Sequence, residues 1–512
     1  MDRKKFYITT AIDYINGKPH LGHAYEKIGA DVMARFKRLQ GFETFFLVGT
    51  DEHSLNVARK ATEEGKPIQA FCDEMAGCFK EAYSLLGISY DRFLRTTETE
   101  HEDTVKEIVE RIRKAGYIRP GNYAGWYCAS CEAFLDAVDL RNGKCPEHPN
   151  INVQWLEEEN YFFMLSAFEE RLLDHIRINP DFIRPESRRH EILNRIRQGL
   201  KDISITRASM QWGIPLPADP SQVIYVWFDA LINYLTGAGY IGDKAKFLRY
   251  WPADFQIIGK DITWFHCVIW PCMLMAADLP LPACVFSHGH LTKDGRRLSK
   301  TAGVVVDPTK LVKEFGVDAI RYYLMREIPW GGDGDVSREA LIKAYNSGLA
   351  NDFGNLLHRV SAMIEKYYQG IIPSPGVEEP VDREIPAFAA RAVIDYIAAM
   401  EEMRFNEALA AIWRLLRRVN KYVDETAPWD LNKCEDKSRL GTVLFNIAES
   451  LRIVTIATRP FLIEAPQKFW QQLGLNGLEH QTSRELAWGL LPPGTALRRG
   501  SPVFPRLETQ EV

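Results

Sequence analysis

The sequence lacks any unbroken apolar stretch of about 20 residues, the length needed to cross a bilayer, so no membrane-spanning helix is expected. It also lacks, after Met1-Asp2-Arg3-Lys4-Lys5, the apolar stretch and small-residue cleavage site of a secretory leader. Cysteine is sparse and odd in number, nine among 512 residues. That argues against a disulfide framework and for reduced thiols or metal ligands, and a cytoplasmic protein is expected. Neither sign of charge predominates, with 63 Lys+Arg against 68 Asp+Glu and a net charge of -5. The balance gives no sign of a globally basic nucleic-acid binder, yet it leaves room for a local basic face. Internal repeats and low-complexity tracts are not evident. What remains, 46% hydrophobic and 26% charged residues, is ordinary for a globular chain, and the length implies about three domains.

The rest is organised around KFYITTAIDYINGKPHLGHAYE, residues 5–26. Its β-branched and aromatic run from Phe6 to Ile12 predicts a buried strand, and Asn16-Gly17-Lys18-Pro19 the turn that ends it. From Pro19, Leu21, Tyr25, Ile28, Val32 and Phe36 recur at helical steps. His20-Leu21-Gly22-His23 therefore falls where strand hands over to helix, where backbone N–H groups and the positive end of the helix dipole receive phosphate. Gly22, lacking a Cβ, admits a base or phosphate closely, and two imidazoles three residues apart can both donate from one helix face. Histidines at a helix start also serve simply as caps. The place after a first strand favours the ligand reading.

A second strand is predicted from Thr44 to Val48, ending in Gly49-Thr50-Asp51-Glu52-His53. Asp51 and His53 should then face the same crevice, unless the aspartate serves only as cap for a helix starting near Ser54. Helices are expected from Ile68 to Leu86 and from Glu98 to Ala115. The alternation implies an α/β fold with a Rossmann-like, doubly wound parallel sheet.

Between Tyr117 and Ile151 the periodicity breaks. Cys128-Ala-Ser-Cys131 and Cys145-Pro-Glu-His148 stand thirteen residues apart, each pair with x2 spacing. Three thiolates and an imidazole complete a tetrahedral shell with no open position, so one structural Zn2+ is expected to hold a zinc-knuckle insertion together. Farther on, Tyr161-Phe162-Phe163 is followed by Arg184, Arg188, Arg189, Arg195 and Arg197. These arginines form either a solvated helix face or a track for a phosphate backbone.

The sheet pattern is expected to resume with Val223 to Asp229, then with Phe255 to Ile258, which ends in Gly259-Lys260-Asp261. Trp227 and Phe265 either belong to the core or, near the carboxyl ends of their strands, line a pocket. Aromatic faces attract a polarisable thioether by about 0.3 to 1.5 kcal/mol. After a strand from Ala283 to Ser287 and His288-Gly289-His290, Lys293, Arg296, Arg297 and Lys300 crowd a Gly-bounded loop that reaches Gly303. It is either a solvated charge run or a movable clamp on a triphosphate, and its place after a late strand favours the clamp.

Strand signals stop after Trp330-Gly331-Gly332-Asp333-Gly334. Helical spacing over Ser337 to Tyr368, Pro386 to Met403, Asn406 to Glu425 and Leu440 to Ala457 predicts an all-α bundle. The Pro- and Gly-rich tail from Pro492 to Pro505 is expected to pack back as an extended strap. Trp429, directly after Pro428, either faces outward or staples the bundle, with Arg414, Arg417, Arg418 and Lys421 as a basic face nearby.

Together these motifs resemble the class I aminoacyl-tRNA synthetases. His20-Leu-Gly-His23 matches their HIGH signature and Arg297-Leu-Ser-Lys300-Thr301 their KMSKS signature. Within the class the chain is similar to the methionyl family through Tyr14-Ile-Asn-Gly17, Gly49-Thr-Asp-Glu-His53, Val226-Trp-Phe-Asp229, Gly259-Lys-Asp-Ile262 and the knuckles. It departs where Arg297 replaces a lysine, Thr301 a serine, Ala11 a proline and Ser54 a glycine.

The resemblance implies ATP-dependent ligation of L-methionine to tRNA(Met) through a methionyl-adenylate, with Mg2+ accompanying ATP. His20, Gly22 and His23 would hold the phosphates, and Lys300, helped by Arg297, would stabilise their charge in the transition state. Asp51 would meet the amino group of methionine, while Ile12, Tyr14, Trp227, Ala230, Tyr234, Phe265 and His266 would shape its side-chain pocket. Asn355, Arg359 and Trp429 would read the anticodon. Residues 1–116 and 223–336 would be the halves of the catalytic domain, 117–222 the insertion and 337–512 the anticodon-binding bundle. No further C-terminal β-barrel follows, so a monomer is expected. The alternatives are a class I synthetase for another amino acid, such as leucine or cysteine, a nucleotidylyltransferase sharing H-x-G-H, or a catalytically silent tRNA-binding protein. An apolar pocket separates neighbours that differ by one methylene only ~10- to 200-fold, which makes homocysteine a competitor.

Overall fold

The computed structural model describes residues 4–508 apart from 129–132, 136–139, 147–151, 209–210, 294 and 298–305. At its centre is a seven-stranded sheet in which every pairing is parallel. The strands run in the order Asp13–Tyr14, Glu43–Asp51, Lys5–Thr10, Phe255–Gly259, Val285–His288 and Ile183–Arg184, with Arg92–Arg95 pairing along Glu43–Asp51. From Lys5–Thr10 the chain winds outward through Glu43–Asp51, then returns on the opposite flank with Phe255–Gly259, where Ile8 pairs with Phe255 and Thr10 with Ile257. That reversal is the topological switch point at which open parallel sheets take ligands.

Side-chain alternation along the strands feeds two cores. Phe6, Ile8, Phe46, Val48, Ile257 and Phe286 pack with the helix Leu21–Leu39 and the C-terminal bundle. Tyr7, Phe45, Leu47, Ile258 and Val285 pack on the other face with residues of Val226–Ala230, Asn233–Ala238 and Trp270–Ala276.

Three expectations change. Residues 226–229 are not strand: Asp219–Ile224 belongs to a separate antiparallel sheet with Thr206–Arg207 and Pro215–Leu216, and Val226–Ala230 is a helical turn. A short apolar run buried on all sides reads alike as strand or core helix. The helix expected from Pro386 starts at Pro380, where Glu379 and Asp382 form a reciprocal cap, and runs to Glu401 with Pro386 inside it. Among the described residues one helix, Ser438–Thr458, is after all long and apolar enough to cross a membrane, but its most apolar stretch is wholly buried within the bundle. Its polar groups are satisfied there, Arg452 donating to both oxygens of Glu449 at 2.7 Å.

The bundle continues through Phe405–Thr426 and Ala465–Gln472. The tail straps back as expected: Leu497 N–H donates to Gly370 O at 2.8 Å, Ile372 N–H to Thr495 O at 2.9 Å, and Phe504 packs on Phe353 and Phe469. Sheet domain and bundle are pinned by the helix Val317–Glu327. Its Arg321, fully buried, donates to Asp31 Oδ2 at 2.7 Å, Phe461 O at 2.7 Å, Leu86 O at 3.1 Å and Pro460 O at 3.1 Å. One turn earlier Asp318 accepts the N–H groups of Ile463 at 2.5 Å and Ala465 at 2.7 Å.

Candidate active site

At the switch point the helix Leu21–Leu39 opens with His20 as its N-cap. His20 Nδ1 accepts from Gly22 N–H at 3.1 Å, His23 Nδ1 accepts from His20 N–H at 3.1 Å, and the two rings stack with centroids 3.7 Å apart. A ring nitrogen that accepts cannot carry the proton, so each imidazole is left with Nε2–H as its donor. A Cβ on residue 22 would come 2.9 Å from His20 Cε1, so only glycine lets the rings close this cap. His20, Gly22 and His23 are half-buried, the exposure of a crevice wall.

The short strand Asp13–Tyr14 pairs with the end of Glu43–Asp51, Tyr14 opposite Asp51, and the Tyr14 hydroxyl accepts from Asn56 at 3.1 Å. The turn that follows is held from three sides. Glu52 receives Arg95 Nε at 2.8 Å and Nη2 at 2.9 Å, Trp212 Nε1–H donates to Glu52 O at 2.8 Å, and His53 Nδ1–H donates to Asp229 Oδ2 at 2.8 Å. Asp229 also takes His101 Nε2–H at 2.7 Å. Burial alone would keep His53 neutral, but the adjoining Asp229 carboxylate outweighs it and raises the histidine above its ordinary value. The helix cap here is Ser54, whose hydroxyl accepts from Val57 N–H at 3.1 Å, and not an aspartate.

Because Asp229 lies two residues after Trp227, the His53 bond ties Asp51 to the aromatic side of the site. Trp227 and Phe265 stack face to face, 3.9 Å between centroids and 12° between planes, both half-buried. Phe265 and His266 sit in the π-helical stretch Phe265–Ile269, a geometry that swings side chains out of α-helical register. His266 Nδ1–H donates to Ile262 O at 3.1 Å, so Nε2 is free to accept the Tyr234 hydroxyl at 2.8 Å. Burial pushes the His266 imidazole down to about 4 and Tyr234 upward, leaving both neutral. Ala230, on the Trp227 turn, is buried, while Ile12 is half-buried at the strand edge.

Sequence reasoning missed the charges beneath this frame. Lys27 Nζ donates to Asp13 Oδ1, Glu26 Oε1 and Ala11 O, each at 2.8 Å, and Glu26 Oε2 faces His288 Nε2 at 3.1 Å. Tyr83 donates to Asp13 as well. Two carboxylates here share one ammonium. Burial pushes Asp13 up to about 6, whereas Glu26 is lowered by Lys27 against its own burial, and Lys27 is raised by its two carboxylates against burial. The only sequence signal was the presence of charges inside an apolar strand and on a helix buried nearly all round.

His288 ends the strand Val285–His288, and the hairpin Leu291–Lys293 with Arg296–Arg297 follows, Thr292 pairing with Arg297. Lys300 and Thr301 lie outside the described residues, as do Cys131 and His148 of the knuckles. Cys128, at the end of the strand Ile118–Cys128, and Cys145 are both buried. Among the described residues no group of three potential metal ligands is found. In the bundle, Asn355 is exposed, Arg359 pairs with Asp424 at 3.1 Å, and Trp429 is 42% exposed just after Thr426, where that helix ends. Trp429 thus faces outward. A separate cavity of about 520 Å3 opens between Arg184, Phe286, Trp330 and Met403, but Arg184 and Arg404 there are already paired with Glu402 and Glu407.

The family of class I tRNA synthetases (M) matches residues 6–154 and 137–361, and the anticodon-binding domain of methionyl tRNA ligase matches 372–512. The chain belongs to the methionyl-tRNA synthetases. It is 47% identical over 511 residues to the Methionine–tRNA ligase of Caldanaerobacter subterraneus subsp. tengcongensis, covering 99% of this chain and 80% of that protein. To the Methionine–tRNA ligase of Thermotoga maritima it is 44% identical over 513 residues, covering 99% and 81%. Among solved structures, Mycobacterium tuberculosis methionyl-tRNA synthetase in complex with methionyl-adenylate superposes with a TM-score of 0.95 at 41% identity, over 98% of this chain and 100% of that one. Its apo form gives 0.89 at 39%, over 99% of each. The parallel sheet and helical C-terminal part of this methionyl-tRNA synthetase family member are those of its relatives.

Proposed function

We propose that the crevice at the carboxyl edge of the sheet activates L-methionine with ATP, and that the bundle brings tRNA(Met) to the resulting methionyl-adenylate. The observation that supports the reading is the His53–Asp229 bond, which joins the turn bearing Asp51 to the turn bearing the stacked Trp227, together with the His20-capped helix start at the switch point of the sheet. The Nε2–H groups of His20 and His23 donate to the triphosphate, with Gly22 allowing close approach. Asp51 takes the ammonium of methionine. Trp227 and Phe265, with Ile12, Tyr14, Ala230, Tyr234 and His266, surround its thioether, and the neutral state of His266 and Tyr234 spares the sulfur a buried charge.

The carboxylate of methionine is already a nucleophile at neutral pH and attacks the α-phosphorus without a general base. Pyrophosphate leaves as Lys300 and Arg297 balance its charge. Mg2+ accompanying ATP would supply positive charge to the phosphates. The terminal ribose hydroxyl of tRNA then attacks the adenylate carbonyl and AMP departs, while Asn355 and Arg359 read anticodon bases and Trp429 stacks on one. Cys128, Cys131, Cys145 and His148 would hold one structural Zn2+; the burial of Cys128 and Cys145 fits thiolate ligands of a closed shell. We assign the protein to the cytoplasm as a monomer, with 1–116 and 223–336 as catalytic halves, 117–222 as insertion and 337–512 as bundle.

Amino-acid-dependent ATP–pyrophosphate exchange over a panel of amino acids tests the reading. Methionine should drive exchange, homocysteine more weakly. Exchange driven by leucine or cysteine and not methionine would refute it.

A further inference from the structure

The reaction just described makes no use of the buried charges behind the helix start. Glu26 and Lys27 follow His23 at i+3 and i+4, so they share its side of the helix, one turn along. Asp13, Glu26, Lys27 and His288 are each less than a tenth exposed. They come from three separate elements: the end of the first strand region, the helix Leu21–Leu39, and the late strand Val285–His288. Withdrawing such groups from water is costly, and apolar side chains could hold a helix on a sheet at less cost. Charge-assisted hydrogen bonds add to packing a directional constraint on distance and orientation between elements.

The contacts form one line. Lys27 grips Ala11 O and Asp13 on one side and Glu26 on the other, and the second oxygen of Glu26 reaches His288. His288 has little freedom to yield. Its Nδ1 faces Gly289 O at 2.7 Å and its ring stacks on Trp330 at 5.3 Å, with Tyr25 edge-on at 5.5 Å. The next residue is pressed against Gly332, whose carbonyl oxygen would lie 1.9 Å from a Cβ at position 289. From His290 the chain runs directly into the hairpin that leads to the cationic loop.

We infer that Glu26, anchored by Lys27, is a positioning residue for adenylate formation, setting the distance between the helix start that carries His20 and His23 and the strand end from which the Lys300 loop departs. The inference rests on the functional reading above and adds to it how the two ATP walls are kept in register. Glu26 is buried and acts through His288. A misplacement of 1 Å between groups aligned in a transition state costs on the order of 10²-fold in rate, so the effect belongs in kcat and not in methionine binding.

The test compares Glu26→Gln, His288→Ala and His288→Gln with wild type in methionine-dependent ATP–pyrophosphate exchange, with thermal unfolding measured alongside. Glu26→Gln and His288→Ala are expected to lower kcat by about tenfold or more while the KM for methionine stays within about twofold. His288→Gln, whose side-chain amide can donate to the same carboxylate, should recover most of the loss. Wild-type kcat in the first two variants, with only a lower unfolding temperature, would overturn the inference, as would a His288→Gln as slow as His288→Ala. A parallel rise in methionine KM would overturn it too, since that marks general collapse of the site. Should Glu26→Gln fail to fold, the two His288 variants decide alone. A wild type without methionine-dependent exchange overturns the functional reading as well, an outcome distinct from these.

Discussion

The side-chain amide of Asn446 donates to the main-chain carbonyl of Asp382 at 3.1 Å, and the partner it replaces is the N–H that Pro386 lacks. In an unbroken helix residue 386 would bond back to the carbonyl of residue 382. Asn446→Leu should therefore cost about 1 to 3 kcal/mol, the penalty for a buried carbonyl left without a donor. Adding Pro386→Ala should return part of that loss by restoring the helical N–H. Urea unfolding of the two single variants and the double variant checks this, and strictly additive losses would refute it.

His266 should give the folded protein an acid-side weakness. Its native value of about 4 lies below the ordinary 6.5, so the folded state holds it neutral. As pH falls below about 6.5 the unfolded chain takes up a proton that the folded chain refuses; stability declines until about pH 4 and then levels. The contribution is roughly 3 kcal/mol at about 1.4 kcal/mol per pH unit. His266→Gln should flatten the fall in unfolding free energy between pH 6.5 and 4, and an unchanged slope would contradict the assignment.

Trp227→Leu removes one face of the stacked pair. A sulfur–aromatic contact of about 0.3 to 1.5 kcal/mol corresponds to a rise in methionine KM of roughly 2- to 10-fold, with a smaller change in kcat. A fall in kcat at constant KM would place the indole against the reacting groups instead.

Trp429→Ala should act on tRNA. Stacking of a base on an aromatic ring contributes about 1 to 3 kcal/mol, so the tRNA KM of aminoacylation should rise by about 5- to 150-fold, with Trp429→Phe much milder. The turn that presents it depends on Ala427, which sits at φ 42 and ψ 66, in the left-handed region, ahead of Pro428. Equal tRNA KM values for wild type and Trp429→Ala would leave the indole as an exposed bystander.

Metal analysis of the purified protein should find one Zn2+ per chain, lost in Cys145→Ser together with resistance of residues 117–151 to proteolysis. Full occupancy in that variant would refute the ligand set.

The helix Leu21–Leu39 and the turn after Glu43–Asp51 were legible because cap, periodicity and strand end all agree there. Residues 226–229 were not, since an apolar run buried all round has no period to read. Pro386 misled because proline is common at a helix start, whereas its actual tolerance comes from Asn446, sixty residues away in sequence. His20, His23, Asp51, Trp227 and Phe265 stood out by their place at strand ends, and the other pocket candidates came only with the family resemblance; the bonds that join their elements were not visible in either. Those bonds run through Asp229, Lys27 and Glu26, whose partners are set only by tertiary packing. The knuckle spacing was visible in the sequence, yet two of its four residues fall outside the described part of the molecule.

A single guanidinium, that of Arg321, holds a carboxylate from the helix Leu21–Leu39 and two carbonyls from the far end of the bundle. Severing the chain after residue 336 would strip it of Pro460 and Phe461, and would strip Asp318 of three backbone donors. Neither fragment would then be a freestanding module: the seam between charging and decoding is itself part of the interior.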